Sequence, residues 1–146
     1  MGVTMPSMHN ALQAHVLLLS MSIAHAEGFW VPGARPRRDH NPGDLVGDGA
    51  ENFTFPRIID GADALANKVW RILLRLSPAY PLRMTFRELA DKWTGGDNAA
   101  AWCDAVCDDL CVYPETTLEA WFLAEPAEIS ASSEANQPPL PPAQQT

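Results

Sequence analysis

Apolar residues recur every three or four positions in several stretches of the chain, which is the spacing of one face of a helix. In the first stretch, residues 11–28, the recurring positions are Leu12, Val16, Leu19 and Ile23. Gly28 follows them, and glycine suits the left-handed conformation in which many helices end. The pattern predicts a first helix over residues 11–28.

The helical spacing returns between residues 60 and 121. Asp60 is the expected N-cap of a helix that ends before Ser77-Pro78, because a residue that precedes proline disfavours the helical conformation. Two Thr-x-x-Glu patterns, Thr85–Glu88 and Thr116–Glu119, have the form of capping boxes and predict two further helix starts. Between these, Gly95-Gly96-Asp97-Asn98 is expected to separate one helix from the next.

The segment between the first two helical stretches, residues 29–55, is rich in glycine, proline, asparagine and aspartate. No helix of useful length fits it. Phe53-Thr54-Phe55 alternates as a short strand would, and Asp44-Leu45-Val46 is the expected hairpin partner. The fold class expected from the residues is therefore mainly α with a small β-hairpin lobe.

The 146 residues are enough for one domain with a core of its own. We expect that domain over residues 11–124, after a flexible N-terminus at 1–10. Residues 125–146 are mostly proline, serine, alanine, glutamine and glutamate, have almost nothing to bury, and are expected to be a disordered tail.

Composition excludes several classes of function. The net charge of −8 disfavours a nucleic-acid binder, because such proteins neutralise phosphates with basic side chains. No apolar run approaches the roughly 20 residues of a membrane span. No phosphate-binding glycine loop, nucleophile elbow or zinc-ligand spacing is present, so no metal or organic cofactor is expected. The sequence leaves the oligomeric state open.

Three cysteines, Cys103, Cys107 and Cys111, are spaced at i, i+4 and i+8 on one predicted helix face. An odd number cannot form a paired disulfide framework, and three thiols on one straight face cannot surround a metal ion tetrahedrally. Small buried apolar side chains are the preferred interpretation.

Residues 12–26 also allow a second interpretation. Val16–Leu19 is apolar, and Ala24-His25-Ala26 resembles the cleavage site of a secretory signal peptide. No lysine or arginine precedes the run, and its spacing is amphipathic, so a helix of the folded domain is favoured over a cleaved signal.

Glu27 is the most promising carboxylate for chemistry. It lies at the C-terminal end of the first predicted helix, beside Phe29 and Trp30. Burial against aromatic rings and the negative end of the helix dipole both raise the pKa of a carboxylic acid. An acid that stays neutral near pH 6 to 7 is what general-acid cleavage of a glycosidic bond requires.

The sequence here resembles a lysozyme-like, transglycosylase-like family of phage and bacterial proteins. The resemblance rests on Ile23-Ala24-His25-Ala26-Glu27-Gly28-Phe29 and on Pro36-Arg37-Arg38-Asp39-His40-Asn41-Pro42-Gly43-Asp44-Leu45. Weaker similarity continues through Phe53-Thr54-Phe55-Pro56 to about residue 120. The family usually has asparagines at the positions of Asp39, His40 and Asp44, and a glycine at the position of Cys111.

This resemblance implies a lysozyme-like α+β fold with a glycan groove between a helical body and a hairpin lobe. It implies that Glu27 is the general acid that protonates the leaving oxygen between two peptidoglycan sugars. Asp39 and Asp44 are candidates for a second catalytic carboxylate. The glycan strand is expected to cross the hairpin zone at residues 39–55, where His40, Asn41 and Phe53 are candidate binding residues, and Trp30 is a further candidate. For Asn41-Pro42-Gly43 a structural role in a tight turn is the preferred interpretation.

The expected function is therefore cleavage of the β-1,4 glycan strand of peptidoglycan, by a lytic transglycosylase or a muramidase such as a phage endolysin. It would be made in the cytoplasm and act on the cell wall or in the periplasm, or be part of a virion. The alternative is a non-catalytic phage structural or wall-binding protein on the same fold, since fold alone does not establish activity.

Overall fold

The computed structural model describes residues 8–47, 49 and 51–124. This part of the chain is mainly helical, as predicted. Its helices are α1 (Met8–Ala26), α2 (Arg35–Arg38), α3 (Ile58–Leu73), α4 (Phe86–Thr94), α5 (Ala99–Leu110) and α6 (Leu118–Leu123). Residues 8–10, predicted to be flexible, belong to the first turn of α1. The rest of the predicted flexible N-terminus and the predicted tail at 125–146 lie outside the described residues.

The core forms where α1 packs against α3 and α5, and where α4 packs against α5. The face predicted for the first helix is the buried one, since Leu19 and Ile23 are almost completely covered. The start of α4 is tied to the start of α6 by backbone bonds from Phe86 N–H to Thr116 O and from Leu118 N–H to Met84 O. Because α1 contacts both α3 and α5, it is a central element of the fold.

The end of α1 has the hydrogen bonds of a Schellman motif. The Phe29 N–H donates to Ala24 O, and the Gly28 N–H donates to His25 O. Gly28 has a φ of +78°, the left-handed conformation that the motif requires and that glycine adopts without strain. Glu27 is therefore the last residue before the chain turns away from the helix axis.

Two of the predicted N-caps differ from the observed ones, the first by three residues and the second by one. Helix α3 begins after Arg57, so Asp60 lies inside its first turn, where the Arg57 side chain pairs with it. Thr85 caps α4 as predicted, but α6 is capped by Thr117 rather than Thr116. The Thr116 hydroxyl is already engaged, because it accepts a hydrogen bond from the Tyr113 N–H.

The predicted cysteine face is only partly correct. Cys103 and Cys107 are buried in the core, with their sulfur atoms 3.8 Å apart. Cys111 is exposed because α5 ends at Leu110, and Cys111 itself takes the left-handed conformation with a φ of 55°. A non-glycine residue thus occupies the position at which the resembled family has glycine.

In the glycine- and proline-rich segment, the described residues include one short helix, α2, and one antiparallel bridge, between Val46 and Asn52. The Phe53 N–H donates to Leu45 O, and the Gly47 N–H donates to Glu51 O. The predicted strands at 44–46 and 53–55 therefore meet near their adjoining ends only. Asn41 holds this turn in place from beneath.

Candidate active-site cleft

A cleft of about 770 Å³ opens between the end of α1, the 43–46 turn, and helices α3, α4 and α5. One wall of the cleft is aromatic, and acidic and basic side chains lie around this wall. The side chains that matter for chemistry are Glu27, Arg35, Asp44, Asn52, Lys68, Tyr80, Lys92, Trp93, Asp97 and Trp102.

Glu27 is held at this cleft by groups distant in sequence. Its Oε1 accepts a hydrogen bond of 2.9 Å from the indole N–H of Trp102, on α5. The Trp102 ring lies 6.1 Å from the ring of Trp93, on α4, and the planes are inclined by 30°. The Trp93 indole in turn donates to Gly43 O over 3.1 Å, which ties the turn to the helical body.

The environment makes Glu27 a weak acid. Burial raises its pKa from the ordinary 4.5 to about 7, since a charged carboxylate is poorly solvated there. The negative charge of Asp44 raises the pKa further, whereas the hydrogen bond from Trp102 and the charge of Arg35 lower it. Glu27 therefore keeps its proton to about neutral pH while remaining at the edge of an open cleft, as a general acid must.

Asp44 is the second predicted carboxylate that lines the cleft, and it is fully engaged. Both of its oxygens face the guanidinium of Arg35, and Oδ1 also accepts a hydrogen bond of 2.8 Å from the Asn52 amide. Its backbone is left-handed, with a φ of 48°. A carboxylate with these partners is suited to holding the turn and to fixing a negative charge near Glu27.

Asp39 and His40 are not brought to the cleft. Asp39 follows α2, and its backbone oxygen accepts a bond from the Phe55 N–H. The His40 ring is hydrogen-bonded through Nδ1 to Phe55 O over 2.9 Å. Both residues connect α2 to residue 55, so the structure assigns them to the base of the turn.

Asn41 is completely buried, which agrees with the preferred role in a turn and leaves its side chain unable to contact a substrate in the cleft. Its amide nitrogen donates to Leu45 O and Phe53 O, and its amide oxygen accepts from the Leu45 N–H. These three bonds use the amide's main hydrogen-bonding capacity. Asn41 is therefore the internal support of the turn that carries Asp44.

Phe53 and Trp30 are exposed but lie away from the cleft. The Phe53 ring rests against Gly47 on the outside of the turn. Trp30 lines a separate apolar groove of about 350 Å³ between α1 and α3, together with Phe29 and Trp70. Of the seven predicted site residues, only Glu27 and Asp44 line the cleft.

Sequence reasoning missed the partners of Glu27. Trp93 and Trp102 are read from sequence as core residues of two helices, and they are half-buried and buried respectively. Arg35 and Lys68 look like ordinary surface cations. A weak signal was available, because Trp93 and Trp102 flank the Gly95–Asn98 break, and a helix–turn–helix brings such flanking residues together.

No group of three or more histidine, cysteine or acidic residues in the described part of the chain is arranged to hold a metal ion. Within the same residues, no helix is long and apolar enough to cross a membrane. Comparison with known proteins gave no significant match to a family model, a curated protein or a solved structure.

Proposed function

We propose that this protein cleaves the β-1,4 glycan strand of peptidoglycan, with Glu27 as the general acid. The observation that carries the proposal is a carboxyl group with a pKa of about 7 at the edge of a cleft of about 770 Å³. Proton donation to a leaving sugar oxygen near neutral pH requires an acid of this kind.

The aromatic wall supports a carbohydrate as the substrate. Trp93 and Tyr80 contact each other edge to face, with ring centres 5.9 Å apart, and both are half-buried at the cleft. Flat aromatic faces pack against the apolar faces of sugar rings, while the polar groups around them hold hydroxyl and amide groups. A cleft that is open to solvent, rather than a closed cavity, suits a polymer.

We further propose that the arrangement is lysozyme-like. In this interpretation the helices form the body, the bridged turn at residues 45–53 is the hairpin lobe, and the cleft between them is the glycan groove. The sequence resemblance around Glu27 and residues 36–45 points the same way. The residue pattern and the position of the cleft support the lysozyme-like arrangement independently of each other.

One acid is sufficient for the proposed chemistry. Glu27 protonates the leaving oxygen, and either water or a hydroxyl of the substrate sugar then completes the reaction. Asp44, paired with Arg35, is better placed to hold the charge balance of the cleft than to act as a nucleophile. Reducing ends would identify a muramidase, and anhydro ends a lytic transglycosylase.

The proposal requires that α1 remains in the active protein, because cleavage after Ala26 would remove the helix that presents Glu27. The intact mass of the active species tests this requirement. A mature chain that begins at Glu27 and still cleaves glycan strands would contradict the assignment of Glu27 as a helix-held acid.

The deciding experiment measures clearing of purified peptidoglycan by the wild type and by Glu27→Gln, with mass analysis of the released sugars. Glutamine keeps the acceptor for Trp102 but has no proton to give, so we expect activity to fall by at least about 100-fold. Glu115→Gln is the matched control, because Glu115 is exposed and pairs with Arg87 outside the cleft. Its activity should equal that of the wild type.

Two other results would overturn the proposal, the first in the assignment of Glu27 and the second in the enzymatic activity itself. If wild type and Glu27→Gln clear the wall equally, Glu27 is not the acid. If neither protein clears it between pH 4 and 8 but both sediment with it, the protein is a non-catalytic wall-binding or virion component. The net charge of −8 gives the protein no long-range attraction to the wall, which is also anionic, and this is the observation behind the non-catalytic alternative.

A further inference from the structure

One end of the cleft carries two lysines around an aromatic pair. The Lys68 ammonium, on α3, lies 4.1 Å from the centre of the Trp93 ring and 5.0 Å from that of Tyr80. The Lys92 ammonium, on α4, lies 5.6 Å from the Tyr80 ring. All four side chains line the same cleft as Glu27.

These two cations have no carboxylate partner among the described residues, whose ion pairs involve His25, Arg35, Arg57, Arg75 and Arg87. Lys68 is half-buried, and burial lowers its pKa because its ammonium has lost part of its hydration. Aromatic faces compensate a cation only in part. An anion entering the cleft would supply the partner that Lys68 lacks.

The charges of the cleft add up to a local excess of positive charge in a strongly acidic protein. The cleft is lined by three basic residues, Arg35, Lys68 and Lys92, and by three acidic residues, Glu27, Asp44 and Asp97. Arg35 and Asp44 neutralise each other, and Glu27 is largely protonated below about pH 7. Two lysines then face the single carboxylate of Asp97.

We propose that Lys68 and Lys92, with Tyr80 and Trp93, form a subsite for a sugar that bears a carboxylate. The two ammonium groups, which lie over the Tyr80 and Trp93 rings, pair with its carboxylate. In a peptidoglycan strand this group is the lactyl carboxylate of a muramic acid that carries no stem peptide, because the peptide is attached to that carboxyl group through an amide bond. The inference rests on the proposed function and specifies which sugar the cleft distinguishes.

The subsite explains how an acidic protein recognises an anionic polymer. Long-range attraction is unfavourable for a chain with a net charge of −8. A short-range contact inside a cleft is different, because exclusion of water strengthens a charge pair at close distance. Recognition would therefore depend on Lys68 and Lys92 and only weakly on the charge of the rest of the surface.

The test is a binding measurement that does not need catalysis. In the Glu27→Gln background, tryptophan fluorescence reports the affinity for a disaccharide of N-acetylglucosamine and N-acetylmuramic acid with its carboxylate free. The comparison ligand is the same disaccharide with that carboxylate converted to an amide. We expect the free acid to bind about tenfold more tightly, as for a charge-assisted contact.

Lys68→Met should reduce this preference to about one- to threefold while retaining the apolar stem that packs on Trp93. Lys92→Met is a second variant at an exposed position, so it is expected to fold even if Lys68→Met does not. Arg71→Met is the matched control, because Arg71 is an exposed cation on α3 outside the cleft. It should keep the full preference.

Equal affinity for the acid and the amide, or an unchanged preference in both lysine variants, would overturn the subsite. The absence of binding by either disaccharide would overturn it as well. A lysine-dependent preference in a protein that does not clear peptidoglycan would support the subsite and reject the enzymatic proposal. The two proposals therefore fail in distinguishable ways.

Discussion

At the scale of single residues, the most informative group is Glu27, because the environment that suits it to the proposed role as a general acid also destabilises the fold. A carboxyl group whose pKa is raised on folding holds its proton more tightly in the folded chain than in the unfolded chain. Glu27 shifts from 4.5 to about 7. Its ionisation at higher pH is therefore resisted by the folded state.

This shift predicts the pH dependence of stability. Below pH 4.5 Glu27 is protonated in both the folded and the unfolded state, so it contributes nothing to the pH dependence of stability. Between pH 4.5 and 7 the unfolded chain alone loses the proton, so the free energy of unfolding falls as pH rises. Above pH 7 the loss is complete, and it is on the order of 2 kcal/mol after allowance for the partial exposure of the side chain. The Glu27→Gln substitution removes this loss of stability.

Urea unfolding of the wild type and of Glu27→Gln at pH 4.5, 6 and 8 measures this effect. We expect the variant to gain stability over the wild type between pH 4.5 and 8, and the difference to stay constant above pH 8. Glu115→Gln serves again as the control and should show no such gain. Parallel stability curves for wild type and Glu27→Gln would mean that Glu27 is not held in its neutral form.

Trp102 provides a second test at the same scale. Its indole N–H lowers the pKa of Glu27 by bonding to the carboxylate. Trp102→Phe keeps an aromatic ring in the core but removes the donor, so the pKa of Glu27 should rise. In a pH profile of kcat/KM, the alkaline limb should move to higher pH.

The control for that experiment is Trp121→Phe, since Trp121 is a buried tryptophan on α6 outside the cleft. It should cost some stability and leave the alkaline limb where it is. A limb that stays fixed in Trp102→Phe would show that Trp102 acts on Glu27 through packing alone.

At the scale of helices and turns, the ends of helices α1 and α5 use the same motif with different residues. Gly28 occupies the left-handed position after α1, whereas Cys111 occupies it after α5, with the Val112 N–H donating to Cys107 O. Glycine adopts this conformation freely, and other residues do so at a cost of roughly 1 kcal/mol. The two ends are therefore unequally strained.

Cys111→Gly should stabilise the protein by about 1 kcal/mol, because the strain is removed and the exposed cysteine side chain contributes little packing. The midpoint of thermal or urea unfolding measures it. Ala105→Gly is a control of opposite sign, since it replaces alanine by glycine in the interior of α5 and should cost about 1 kcal/mol. A destabilised Cys111→Gly variant would show that the thiol has a role beyond the helix end.

At the scale of the whole molecule, the cleft exists because the segment after α2 lies directly on α3. Gly61, in the first turns of α3, makes this approach possible. A Cβ atom there would lie 1.8 Å from His40 O, a backbone atom that cannot move aside independently. The turn with Asn41 and Asp44 follows immediately, so this contact sets the position of one wall of the cleft.

Gly61→Ala should therefore cost at least 2 to 3 kcal/mol, because backbone must separate from backbone. It should also lower any glycan cleavage in the fraction that remains folded. Gly49→Ala is the control, as a Cβ there meets nothing within 4 Å. Unfolding midpoints near the wild-type value for both variants would show that the segment does not rest on α3 in this way.

Much of the fold was predictable from local patterns. The apolar stripe of α1, the glycine that ends it and the Thr85 cap of α4 each depend on residues within one or two turns of helix, and the structure has all three. The Asp60 cap was wrong because the Arg57–Asp60 ion pair is satisfied inside the first turn of α3. The 44–46 and 53–55 pairing was only partly correct, because Asn41 binds backbone groups that a longer ladder would use.

The sequence by itself determined where the helices other than α2 lie and that Glu27 stands at the end of the first one, since these features follow from periodicity and from glycine's freedom in φ. Only the tertiary structure decided what surrounds Glu27. Trp102 reaches it across 75 positions of sequence, and Lys68, Tyr80 and Trp93 come together from three different segments. Such groupings depend on how helix faces pack against one another, and helical periodicity fixes which face is buried but not which partner covers it.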